Sequence, residues 1–160
     1  MIKQPDSEPS LPAGTNLIPI SFGEMIDRIT ILEIKEEKIS DPAQRANVVA
    51  ELEIVQNALA PFHQLAEETI VQKHLLRSIN ERLWSIEDQL RALEQTHDFG
   101  HTFVELARSV YLLNDERAAL KRRLNHRAGS EIIEEKFFLE AGKRLRSRPQ
   151  PVPSSGPKVA

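Results

Sequence analysis

The groups in this chain best able to do chemistry fall on two stripes. Asn80, Trp84, Glu87, Arg91 and Glu94 recur at four- and three-residue intervals, as do Ala107, Tyr111, Asn114, Ala118 and Lys121. Each set therefore lies along one face of a helix. Amide, indole, carboxylate, guanidinium, phenol and ammonium groups side by side suit the recognition of a small anion or of a polar partner surface. Arg28, Glu33 and Arg117 add to them. Arg117 stands where a leucine seam expects an apolar residue, and Glu33 falls within an apolar helical arc. An unpaired buried charge costs several kcal/mol, so Glu33 and Arg117 each need a partner, which could be the other or a ligand, or else a route to water. The functional reading is a pocket between helices. The competing reading is a buried polar network that fixes helix register, with surface pairs such as Glu87–Arg91. Both stay open at this point.

Established catalytic templates do not fit. Asp98-Phe99-Gly100 spells the kinase metal-binding triplet, but no Gly-rich loop, strand lysine or catalytic loop accompanies it, so it reads as a turn. Glu94 and His97 make one Glu-x-x-His, whereas a di-iron bundle needs two and a further pair of carboxylates. No metal and no cofactor are expected. Without a single Cys, disulfides, thiolate-held zinc and thiol nucleophiles are excluded.

The elements that must position the stripes are helices. Ser21 and Glu24 form a capping box at the head of a helix expected from about Phe22 to Ile39. Its residues Phe22, Met25, Ile26, Ile29, Leu32 and Ile39 make one apolar arc, while Ile31 and Ile34 project elsewhere. A helix apolar on more than one side is buried by more than one neighbour, which places it centrally. Asp41-Pro42 opens a second helix, to about Leu59, with Val48, Leu52, Val55 and Leu59 on one side. Leu76, Ile79, Leu83, Ile86, Leu90 and Leu93 then define a third, and Phe103, Leu106, Val110, Leu113, Arg117, Leu120 and Leu124 a fourth. Both have the spacing of a coiled-coil seam. The short turn between them predicts an antiparallel hairpin whose stripes border one groove. Gly129 reads as a C-terminal cap, followed by a short helix through Glu131–Phe138, and Leu17–Ile20 as an isolated extended piece. The fold class is all-α, a helical bundle built on the hairpin.

Composition agrees. Apolar residues are 40% and charged residues 28%, ordinary for a globular domain, while aromatics are only 5%. No run is long and apolar enough to span a bilayer, and no signal-peptide core is present. A cytoplasmic location without membrane contact is the expectation. The expected organisation is a disordered arm (1–16), one helical domain (17–142) and a disordered basic tail (143–160). The tail holds Lys143, Arg144, Arg146, Arg148 and Lys158, which leaves 16 basic against 24 acidic residues, a net of −8, in 1–142. So acidic a body disfavours nucleic acid as the partner.

Several words stand in order along the chain: SFGEMIDRITILEIK (Ser21–Lys35), LWSIEDQLRALE (Leu83–Glu94), DFG (Asp98–Gly100), FVELARSVYLLNDERAALKRRLN (Phe103–Asn125) and GSEIIEEKFF (Gly129–Phe138). They resemble a family of small bacterial all-helical proteins of unknown function, over about Leu17–Phe138. The resemblance implies a helical domain and supplies no reaction, ligand or partner. The leading expectation is a non-enzymatic module that binds a protein partner or an accessory ligand in the groove beside the seam, which itself allows a homodimer. The alternative is a small enzyme or sensor for an anionic metabolite, with an Arg/Glu site between the helices.

Overall fold

The computed structural model describes residue 16, residues 18–132 and residue 135. Among these residues the fold is all-α. Helix α1 is Phe22–Lys38, α2 is Pro42–Leu59, α3 is His63–Glu68, α4 is Ile70–Gln95 and α5 is His101–Ala128, with a 3₁₀ turn at Ala60–Phe62. The third and fourth helices expected from the seam pattern are thus α4 and α5. The periodicity does not separate α3, which ends where buried Thr69 turns its hydroxyl onto Leu65 O at 2.8 Å. Most of the expected arm, the tail, and the segment through Phe138 lie outside the described residues. Ile18–Ile20 has no regular structure, and Ile18 and Ile20 are exposed. No described helix is long and apolar enough to cross a membrane.

Local chemistry sets the helix ends. The Ser21 hydroxyl accepts from Glu24 N at 3.3 Å, and Asp41 Oδ1 accepts from Gln44 N at 2.8 Å, each satisfying an orphan amide. The Glu24 carboxylate does not stay within the capping box but crosses to Lys121 Nζ, 2.6 Å away. Gly129 takes the left-handed conformation (φ 61°), and Ser130 N donates back to Asn125 O at 3.0 Å, closing α5. The turn between α4 and α5 has His97 at φ 54° and Asp98 Oδ1 accepting from Gly100 N at 3.0 Å, so Asp98-Phe99-Gly100 is a turn.

Helix α1 lies at the centre, packed against α2, α4 and α5. Its apolar arc enters the core with Val48 and Leu52 of α2, Leu76, Ile79 and Leu83 of α4, and Leu113, Leu120 and Leu124 of α5. A second buried stripe runs beside that arc: Gly23, Asp27, Thr30 and Ile34, at 4-3-4 spacing. At its head the chain approaches α5 so closely that a Cβ on Gly23 would sit 2.5 Å from the Lys121 carbonyl oxygen and 2.7 Å from Asn125 Oδ1. That amide oxygen also accepts from Gly23 N at 2.6 Å, so α5 helps to cap α1.

Gly23→Ala therefore forces two helices apart and is expected to cost about 1–3 kcal/mol, read as a lower urea midpoint at unchanged m. Gly100→Ala, whose Cβ would meet only the Asp98 carboxylate at 3.0 Å, is expected to cost less.

Candidate functional site

The polar stripes are built by the course of α1. Asp27 is fully buried, its side chain 1% exposed. It accepts from Arg117 Nε at 3.0 Å and from Arg117 Nη2 at 2.6 Å, and from Asn80 Nδ2 at 2.8 Å. Asn80 also donates to Thr30 Oγ1 at 2.9 Å. One carboxylate thus ties α1 to both long helices. Arg117, at the seam position, is half-buried and keeps 26% of its side chain exposed.

Glu33 and Arg117 do not pair. Glu33 stands six residues beyond Asp27, about 9 Å along the helix, and by then α1 has crossed from α5 to α4. There Glu33 meets Lys73 Nζ at 2.6 Å and Arg77 at 3.5 Å. Arg77 also pairs with Glu37 and Glu81. Burial works against the Arg77 charge, but the hydrogen bond and charge of Glu37, then Glu81, outweigh it and hold the guanidinium above its ordinary pKa.

The crossing covers only part of each stripe. On α4, Arg77, Trp84 and Arg91 are heptad-related, as are Asn80, Glu87 and Glu94. Arg77 and Asn80 sit against α1, whereas their heptad partners toward the connecting turn lie past it. On α5, Tyr111, Ala118 and Asn125 share a heptad position, and Asn125 and Lys121 sit against the head of α1. Since Asn80 and Arg117 both reach Asp27, residues counted equally from them toward the connecting turn stand at similar heights. The stretch past α1 thus presents Trp84, Glu87 and Arg91 on α4 with Ala107 and Tyr111 on α5. Trp84 is half-buried, Tyr111 is 52% exposed, and Arg91 and Glu87 form an exposed i,i+4 pair at 3.1 Å. Asn114 is half-buried and donates to Val110 O at 3.0 Å. Arg108 is held above its ordinary pKa by the Tyr111 side chain beside it and then by Glu105.

Of the residues expected from sequence, then, the structure groups Trp84, Glu87, Arg91, Tyr111 and Asn114 on the open stretch. Asn80, Arg117 and Lys121 form its floor beneath α1, and Glu33 lies farther along α1. Arg28 is on another side, half-exposed and paired with Glu51 of α2. Sequence reasoning missed Asp27 as the partner of Arg117. The signal was the Gly23-Asp27-Thr30-Ile34 spacing, of which only Ile34 looks apolar. Among the described residues no three His, Asp or Glu side chains gather to hold a metal ion.

The comparison with known families decides one point. The model of a family described as "Family of unknown function (DUF6165)" matches residues 17–152. The chain belongs to that family. The match starts where the resemblance begins and runs past Phe138 to take in Lys143, Arg144, Arg146 and Arg148. No curated protein and no solved structure matches.

Asp27→Ala leaves the Arg117 guanidinium half-buried without its carboxylate and is expected to cost about 3–5 kcal/mol. Arg91→Ala, which removes only two exposed pairs, with Glu87 and with Asp88, is expected to stay within about 0.5 kcal/mol of wild type. Chemical denaturation of the two variants in parallel checks both.

Proposed function

We propose that this chain is a non-enzymatic interaction module that holds a macromolecular partner against the stretch of polar flank past α1. The observation that carries the reading is the position of the aromatic side chains. The chain has one Trp and one Tyr, neither belongs to the buried core, and both fall on that stretch with Arg91. Trp, Tyr and Arg dominate the binding energy of interfaces, because each combines a large apolar body with a polar tip. The surface comprises Trp84, Glu87, Arg91, Tyr111 and Asn114, with Asn80 and Lys121 supporting it from below. An enzyme or sensor for an anionic metabolite draws on Arg91, Arg28 or Arg117 to hold the anion and on Glu87 or Glu33 as acid–base group. Arg28, Glu33 and Arg117 are engaged by Glu51, by Lys73 and Arg77, and by Asp27, which leaves that reading the exposed Arg91 and Glu87, themselves paired.

A photoreactive amino acid at position 111 of the full chain, irradiated in cells, is expected to give a covalent adduct with a macromolecule. The same group at exposed Ser85, on the outward side of α4, is expected to give none. Thermal unfolding against anionic metabolites, nucleotide sugars and divalent metals is expected to show no shift. A ligand at 100 times its dissociation constant adds about 2.7 kcal/mol. A midpoint raised in wild type but not in Arg91→Ala, with no adduct at 111, would favour the metabolite reading.

A further inference from the structure

We propose that the partner on this stretch is a second copy of the same chain, its α4 and α5 laid antiparallel across those of the first; the inference rests on the interaction reading above. The seam between α4 and α5 is unevenly filled. Leu76, Leu83, Leu113 and Leu124 are buried where α1 covers them, but toward the connecting turn Leu90, Leu93, Phe103 and Leu106 are only half-buried and lie outside the core. Two helices alone cannot enclose a seam, whereas four can. A second pair of helices would occupy the layer that α1 fills farther down, each tip abutting the other copy's α1.

The side chains suit a two-fold axis across the stretch. Glu87 and Arg91 are symmetric about position 89, and an axis there brings each Arg91 opposite Glu87 of the other copy. On α5 that level corresponds to position 108, within one residue rise, about 1.5 Å, of the midpoint between Ala107 and Tyr111. The same axis therefore seats each Tyr111 ring on the other copy's Ala107, a large side chain on a small one. An isologous contact requires this self-complementarity, residue i meeting j while j meets i. Neither pair that Arg91 makes within its own helix, with Glu87 or with Asp88, opposes the exchange, since Glu87, Asp88 and Arg91 are 51%, 59% and 66% exposed and an exposed pair holds its partners weakly.

The extent suits a weak contact. Residues 83–95 and 101–114 make an arm about 20 Å long at 1.5 Å per residue and, for helices 8–10 Å apart, about 20 Å wide. Such a face has a footprint of about 400 Å² per copy, about 800 Å² in total, in the range of a weak, reversible interface. The dimer is expected to be reversible in the micromolar range.

Sedimentation equilibrium of the full chain from about 1 to 200 μM tests the proposal, starting from a monomer of 18.2 kDa. Wild type is expected to rise to twice that mass. Arg91→Glu, which sets like charges across the axis, is expected to remain monomeric with unchanged helicity. The charge-swapped double variant, Glu87→Arg with Arg91→Glu, is expected to restore the dimer. Wild type monomeric at 200 μM, or Arg91→Glu dimerising as well as wild type, overturns the proposal. The adduct at position 111 separates the two readings. Twice the chain mass supports the second copy, another mass refutes it while leaving the interaction surface, and no adduct removes both.

Discussion

Asp27 has no contact with solvent, and a carboxylate in that position must be charge-paired and hydrogen-bonded or it destabilises the fold. Here Arg117 supplies the charge and Asn80 completes the hydrogen bonding, one from each long helix. Apolar contacts between helices tolerate sliding by a residue, but a carboxylate that needs two particular donors does not. This group fixes the middle of α1 along α4 and α5, with the Gly23–Asn125 and Glu33–Lys73 bonds on either side of it. Thr30, which gives its hydroxyl to the Asp27 carbonyl at 2.8 Å and accepts from Asn80, closes the network on the α1 side.

From that anchor the rest of the geometry follows. Toward its start, α1 runs into α5, where Gly23 admits the Lys121 backbone and Glu24 pairs with the buried Lys121 ammonium. Toward its end it passes over α4, where Glu33 and Glu37 meet Lys73 and Arg77. A crossing helix cannot cover the full length of the two helices beneath it. The same arrangement that closes the core at Leu76 and Leu124 thus leaves Trp84, Arg91 and Tyr111 past its edge. The polar flank divides into a buried floor and an open stretch because of where α1 is tied.

Much of this was legible in the sequence. Ser21, Asp41 and Gly129 mark helix ends through rules confined to a few neighbouring residues, and the structure uses all three. The leucine spacings located α4 and α5, and Ile34 off the main arc showed that α1 is buried on more than one side. The pairing of Arg117 was not legible. Asp27 reads as a surface carboxylate when taken alone, and it is buried only because Gly23 and Thr30 on the same stripe are small enough to bring α5 and α4 close. Nor could spacing show that Arg28 turns to Glu51, since that depends on which side α2 packs.

The sequence by itself determined the all-α class, three of the helix ends, the seam and the two polar stripes, because each follows from local hydrogen bonding and from a periodicity of 3.6 residues. Only the tertiary structure decided which half of each stripe is floor and which is surface. That division depends on contacts between residues 50 to 100 positions apart, Asp27 with Asn80 and Arg117 above all. No local periodicity carries that information, because the helical repeat says which side of a helix a residue occupies and nothing about what will lie across it.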